Sequence, residues 1–121
     1  MSMPPAPVQG FVPTDDGQQL FYKSLGSGGP ALVCCNGIGV STGFWKYLAR
    51  RFSPERQVVL WDYRGHGRSS AVGPADRVDI PRLARDLGLV CEALGLDRPI
   101  LLGHSMGTQV ILERTRQAPG A

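Results

Sequence analysis

Apolar residues gather in three short continuous runs, at residues 31–35, 57–61 and 99–102, with stretches of helical periodicity between them. Runs of that length with almost no polar interruption are the pattern of strands buried on both faces of a mainly parallel sheet. Between the first two, Phe44, Trp45, Leu48 and Phe52 recur at helical spacing, and Ser41 or Thr42 stands where a helix cap is wanted. Between the second and third, Ile80, Leu83, Leu87, Cys91 and Leu94 fall on one helical face, with Arg82, Arg85, Asp86 and Glu92 elsewhere. Asp79 caps that helix and Gly95 stops it. Another helix is predicted over residues 107–116, with Val110 and Ile111 apolar. Ahead of the first run, residues 11–14 and 18–24 flank Asp15-Asp16-Gly17, a tight-turn signal that predicts an antiparallel hairpin. Residues 1–10 read as an extended Pro-rich lead-in, residues 26–30 as a flexible loop, and residues 11–121 as part of one domain.

Strand and helix alternate through the rest of the chain, which implies right-handed crossovers and an α/β fold with helices on both faces of the sheet. Ligands of such sheets bind at the carboxyl ends of the strands. The loops after residues 35, 61 and 102 all lie at that edge, and the last holds Gly103-His104-Ser105-Met106-Gly107. A serine in a Gly-x-Ser-x-Gly pentapeptide between an apolar strand and a helix rides a sharp turn that pushes its hydroxyl into the open. Side chains at positions 103 and 107 would collide with neighbouring backbone in so tight a bend. The residue after the serine opens the helix, so the Met106 amide has no intrahelical partner and is free to face an oxyanion.

With 121 residues, 42% of them hydrophobic and 19% charged, the chain has the composition of a globular domain rather than a disordered one. Its net charge of +3 comes from scattered arginines that form no block or aromatic-interleaved stripe, so nucleic-acid binding gets no support. Cys34 and Cys35 lie in a strand pattern and Cys91 on an apolar helical face, which predicts buried free thiols and a reducing compartment. No basic-then-apolar leader and no run long enough to span a bilayer is present, so a cytoplasmic location is expected, with no membrane partner. The two histidines and three cysteines show no ligand spacing. No metal and no organic cofactor are implied, and the expected partner is a small-molecule substrate.

From about Phe11 to about Leu112 the chain resembles the serine-nucleophile branch of the α/β-hydrolase superfamily. Three segments carry the likeness in order: Asn36-Gly37-Ile38-Gly39, Asp62-Tyr63-Arg64-Gly65-His66-Gly67-Arg68-Ser69, and the pentapeptide around Ser105. The resemblance implies Ser105 as nucleophile, with the backbone amides of Ile38 and Met106 as oxyanion donors and Gly37, Gly103 and Gly107 as the glycines of the loop and elbow. In the family the first segment usually reads His-Gly; here Asn36 replaces the histidine. The second segment reads as structural, with Arg64 placed to pair with Asp62, and His66 and His104 read as packed or hydrogen-bonded residues rather than bases. Dehalogenases and epoxide hydrolases of this fold carry aspartate at the elbow, so a serine favours acyl transfer to water from an ester, thioester, amide or lactone, cleavage of the C–C bond of a diketone, or perhydrolase chemistry.

The family's triad runs serine, acid, histidine along the chain. After Ser105 there is no histidine and no aspartate, and Glu113, eight helical residues on, lies about 12 Å along the axis. The expectation is therefore an N-terminal portion of the fold, truncated after the elbow by a frameshift or premature stop, inactive alone and exposing an aggregation-prone strand edge. The tail from Arg114 onward, which departs from the family's amphipathic continuation, points the same way. Two other readings compete: a noncatalytic binding module, and a nucleotide-binding half-domain. The second takes Gly37-Ile38-Gly39 with Asp62 as the ribose acid, but has Thr42 where a third glycine belongs.

Overall fold

A computed structural model describes residues 7–120. Strand β1 (Val8–Pro13) and strand β2 (Gln19–Leu25) form the hairpin, with Phe11 opposite Phe21 and Val12 opposite Leu20. The first strand thus takes in Val8, Gln9 and Gly10, which the proline content had assigned to the lead-in; residues 1–6 of that lead-in lie outside the described part. Gly17 closes the turn at φ +87, a left-handed conformation that costs a residue without Cβ nothing.

The three apolar runs become β3 (Leu32–Cys35), β4 (Val58–Trp61) and β5 (Ile100–Gly103). The sheet order is β1-β2-β4-β3-β5; β2 meets both of its neighbours antiparallel, while β4, β3 and β5 are parallel to one another. The chain moves one way across the sheet from β3 to β4 and the other way from β4 to β5. Right-handed crossovers then require the intervening helices to lie on opposite faces. They do. A 3₁₀ turn (Thr42–Trp45) leads into α1 (Lys46–Phe52) on one face, where Trp45 and Ala49 pack with Leu32, Cys34, Val58 and Leu60. On the other face α2 (Ile80–Ala93) and α3 (Met106–Gln117) pack Leu83, Leu87, Val90 and Val110 against Val33, Cys35, Val59 and Trp61.

Four expectations change. The 42–52 segment is not one helix capped by Ser41 or Thr42, because the first turn is wound as 3₁₀ and Ser41, at the cap position, makes no side-chain cap bond. Phe44 leaves the core and is 47% exposed. Strand β5 is not buried on both sides: among the described residues it pairs only with β3, and Ile100 is 40% exposed. Cys34 and Cys35 are buried and free, whereas Cys91 is only half-buried; burial pushes the Cys34 thiol up to about 12 and that of Cys91 up to about 11. Among the described residues no helix is long and apolar enough to cross a membrane.

Arg82 and Asp86, placed by periodicity on the polar side of α2, are buried, and Arg64 pairs with Asp86 and Asp16 rather than with Asp62. Asp86 accepts from Arg64 Nε at 2.7 Å and from Arg82 Nη2 at 2.9 Å. Arg64 also reaches Asp16 at 2.7 Å and Arg82 reaches Asp15 at 2.6 Å, so the hairpin turn is bolted to α2 by charge. The Arg82 guanidinium holds the Asp15 carboxyl down at about 2, and that of Arg64 holds Asp16 well below the usual carboxylate range. A carboxylate depressed in the folded state stabilises above its ordinary value and loses that contribution as pH falls through its folded one. Asp62, raised chiefly by burial, acts in the opposite sense on acidification. The Arg77 and Arg116 guanidinium groups likewise lower Asp79 and Glu113, so four lowered carboxylates stand against Asp62, and the urea midpoint is expected to hold from pH 7 to about 5 and to drop between about 4 and 2. Replacing Asp15 and Asp16 by asparagine should flatten that drop; an equally steep acid limb in the double variant would assign it to other groups.

Candidate active site

The parallel order places β3 and β5 side by side while the helices that follow them lie on opposite faces of the sheet. A crevice therefore opens at their carboxyl ends. Its floor is a turn of two residues. Strand β5 stops at Gly103, the chain reverses through His104 and Ser105, and α3 begins at Met106. The helix must start hard against the sheet. A Cβ at Gly103 would lie 2.7 Å from the carbonyl carbon of Gly107 and the amide of Thr108, and one at Gly107 would collide with the carbonyl oxygen of Cys35. Neither position has room for a side chain.

Ser105 occupies φ 55, ψ −116, a conformation that L residues seldom adopt, and it is exposed. The turn is clamped by its own backbone: His104 N–H donates to Cys35 O at 3.1 Å, Gly107 N–H to His104 O at 2.9 Å, and Thr108 N–H to Ser105 O at 3.0 Å. The Ser105 hydroxyl caps nothing and, among the described residues, bonds to neither histidine. The Met106 amide heads α3 and donates to no protein group among the described residues, where it adds to the positive end of the helix dipole.

On the other wall, the loop after β3 carries Ile38, 72% exposed, between Gly37 and Gly39. Its amide likewise donates to no protein group among the described residues. Gly37 is tight for a different reason than the elbow glycines: a Cβ there would stand 2.7 Å from His104 Nδ1. The His104 ring also stacks on Phe44, with centroids 4.4 Å apart. The residue before the serine is thereby keyed into the opposite loop, a packing role that uses the aromatic ring displaced from the core. His66 bonds through Nδ1 to Arg64 O at 3.0 Å and abuts the Tyr63 ring, a hydrogen-bonded loop position.

Sequence reasoning missed a buried polar knot beneath this crevice. Asn36 is fully buried; its Oδ1 accepts from Trp45 Nε1 at 2.6 Å, and its Nδ2 donates to Trp61 O at 2.9 Å. The Tyr63 hydroxyl donates to Asn36 O at 2.6 Å. Asp62 does not pair with Arg64. Its Oδ1 accepts from the Thr42 amide at 3.1 Å and its Oδ2 from the Arg68 amide at 3.1 Å, so the carboxylate fastens two loops together. Burial is the main influence on Asp62 and holds its carboxyl above the usual range. With these bonds made, Asp62 is committed within the fold, which weakens the nucleotide-binding reading. The missed signal was the pairing of a short amide with two tryptophans, Trp45 and Trp61, at the ends of a helix turn and a strand.

Glu113, the carboxylate closest in sequence after Ser105, faces Arg116 at 2.6 Å and has no part in the crevice.

The alpha/beta hydrolase fold family matches residues 30–119. A non-heme haloperoxidase of Rhodococcus erythropolis is 37% identical over 101 residues, covering 80% of this chain and 35% of that protein. A bifunctional esterase/perhydrolase of Acinetobacter calcoaceticus is 37% identical over 100 residues, covering 81% of this chain and 36% of the relative. Among solved structures, a hydrolase from Pseudomonas aeruginosa superimposes with a TM-score of 0.83 at 31% identity, over 92% of this chain and 42% of the other. The chain therefore spans little more than a third of the length of the curated relatives it matches.

Proposed function

The chain belongs to the alpha/beta hydrolase fold family, and from that premise we propose that it carries the nucleophile half of a serine hydrolase acting on an ester or related acyl or C–C bond. The observation that carries this reading is the exposed Ser105, held at positive φ at the start of α3. Its Oγ attacks the carbonyl carbon, and the oxygen that gains charge is received by the amides of Ile38 and Met106. Collapse of the tetrahedral intermediate expels the alcohol, thiol or amine, or the enolate of a diketone, which takes up the proton that Ser105 lost to the base, and water then releases the acyl group from Ser105 as a carboxylic acid. Kinship with an esterase/perhydrolase supports the acyl chemistry, and the half-built site follows from the absence of any histidine or aspartate between Met106 and Gly120.

An unassisted serine hydroxyl is a poor nucleophile at neutral pH. A base and its orienting acid from outside these 121 residues complete the reaction, and without them turnover falls about a million-fold. The test joins residues 1–117 to the part of the Acinetobacter relative that this chain does not cover. That fusion should take up an alkyl fluorophosphonate at Ser105, the Ser105→Ala form should lose the label, and the 121-residue chain alone should label only marginally. Label that survives Ser105→Ala would move the nucleophile elsewhere. A soluble fusion that never labels would favour a noncatalytic binding module.

A further inference from the structure

We propose that Asn36 is a positioning residue that sets where the Ile38 amide stands, through the amide bridge it makes between Trp45 and the end of β4. The inference rests on Ile38 being an oxyanion donor. The loop in question starts at Asn36 and ends in the 3₁₀ turn at Trp45. Among the described residues, every side-chain hydrogen bond that ties this loop down involves Asn36 or Asp62. At the front end Asn36 Nδ2 donates to Trp61 O at 2.9 Å and to Asp62 Oδ1 at 3.4 Å. Its Oδ1 accepts from Trp45 Nε1 at 2.6 Å at the back end, and the Thr42 amide donates to Asp62 alongside. Among the described residues, the stretch between, Gly37 to Val40, holds itself only by a 3.5 Å bond from Val40 N–H to Gly37 O, with Gly39 at φ +76. Gly37 and Gly39, one on each side of Ile38, leave that stretch little stiffness of its own. The place of the Ile38 amide is accordingly inherited from the two anchored ends.

The bridge needs one donor and one acceptor on a single short side chain. A primary amide supplies both at every pH. The histidine usual at this position in the family supplies both only while neutral; once protonated it has two donors and nothing to offer Trp45 Nε1. The ionisable groups that face Asn36 are Asp62 and the Tyr63 hydroxyl, with His104 across Gly37 and His66 beyond Tyr63. All four are present in every variant used below, so their titrations cancel in the comparison with the parent chain.

The experiment is ¹⁵N relaxation of the fusion with the Acinetobacter segment, segmentally labelled in residues 1–117 and taken as the parent chain, read at the Ile38 amide and at the Trp45 indole N–H, with Val33 and Val59 amides as the record of the core. In the parent chain the Ile38 order parameter is expected near the rigid value of about 0.85. In Asn36→Ala it should fall to about 0.6 or below while Val33 and Val59 stay rigid, and the Trp45 indole proton should move upfield. Asn36→His should restore the order at pH 8 and lose it again at pH 5, a dependence the parent chain lacks. Trp45→Phe breaks the same bond from the other partner and keeps most of the packing, and it should loosen Ile38 in the same direction. The proposal is overturned if Ile38 keeps its order in Asn36→Ala and Trp45→Phe, if the core loosens in step with it, or if Asn36→His shows no pH dependence. Those outcomes with labelling of the parent fusion at Ser105 intact would remove the role of Asn36 alone; labelling that stays at the parent rate in the Asn36→Ala fusion although Ile38 has loosened would leave the loop anchor standing and remove the oxyanion role of Ile38.

Discussion

Asp86→Ala is expected to lower the unfolding free energy by about 3–5 kcal/mol, the cost of taking one partner out of a buried ion cluster. Asp86 has no exposed surface, and four guanidinium nitrogens bond to it, from Arg64 at 2.7 and 3.0 Å and from Arg82 at 3.1 and 2.9 Å. Its removal strands two cations in the interior, Arg64 being fully buried and Arg82 nearly so. Asp16 and Asp15 still face them, but these carboxylates lie at the rim and are partly solvated. Since domains of this size are stable by about 5–15 kcal/mol in all, the variant should unfold at a much lower urea concentration. Arg85→Ala is the control. It breaks an exposed pair with Asp15 at 3.0 Å and should cost no more than about 1 kcal/mol. Equal shifts in the two urea midpoints would show that the cluster's burial contributes nothing.

Gly107→Ala is expected to separate α3 from the sheet, at a cost of about 3 kcal/mol or more. The added methyl group would meet the Cys35 carbonyl oxygen and approach that of Asn36 within 3.2 Å, and both belong to backbone that cannot swing aside. Only a shift of the helix start relieves it, and that shift carries Ser105 and the Met106 amide out of register with the loop after β3. Gly39→Ala separates this steric effect from backbone strain. Gly39 is left-handed, at φ +76, but has open space where a Cβ would go, so alanine there should cost only about 1–2 kcal/mol. Both are read by urea denaturation, with the fluorophosphonate fusion reporting the site. A Gly107→Ala chain as stable as Gly39→Ala would mean that the helix start is not pressed against β3.

The elbow was legible because its constraints are local. A strand must end, a helix must begin, and two glycines spaced four apart mark where the chain is squeezed between them; all of that lies within five consecutive residues. The hairpin was legible for the same reason, since Asp15-Asp16-Gly17 specifies its own turn, although the start of β1 at Val8 was hidden by the prolines around it. Phe44 was misplaced because helical spacing identifies a face without saying what stands opposite; here that face meets the ring of His104, sixty residues away.

What the sequence determined alone was the alternation of strand and helix, the serine elbow and the two loops at the same edge of the sheet, because short-range periodicity and turn chemistry act over a few residues. The tertiary structure decided which polar groups sit inside. Arg82 and Asp86 follow one helical turn after another like any solvent-facing pair, and only the arrival of Arg64 from the β4 loop and of Asp15 and Asp16 from the hairpin makes their burial favourable. Asn36 likewise looks like a loop residue until Trp45, Trp61 and Tyr63 close around it. A buried charge or amide is tolerated only when its partners are supplied, and those partners come from parts of the chain that only folding brings together.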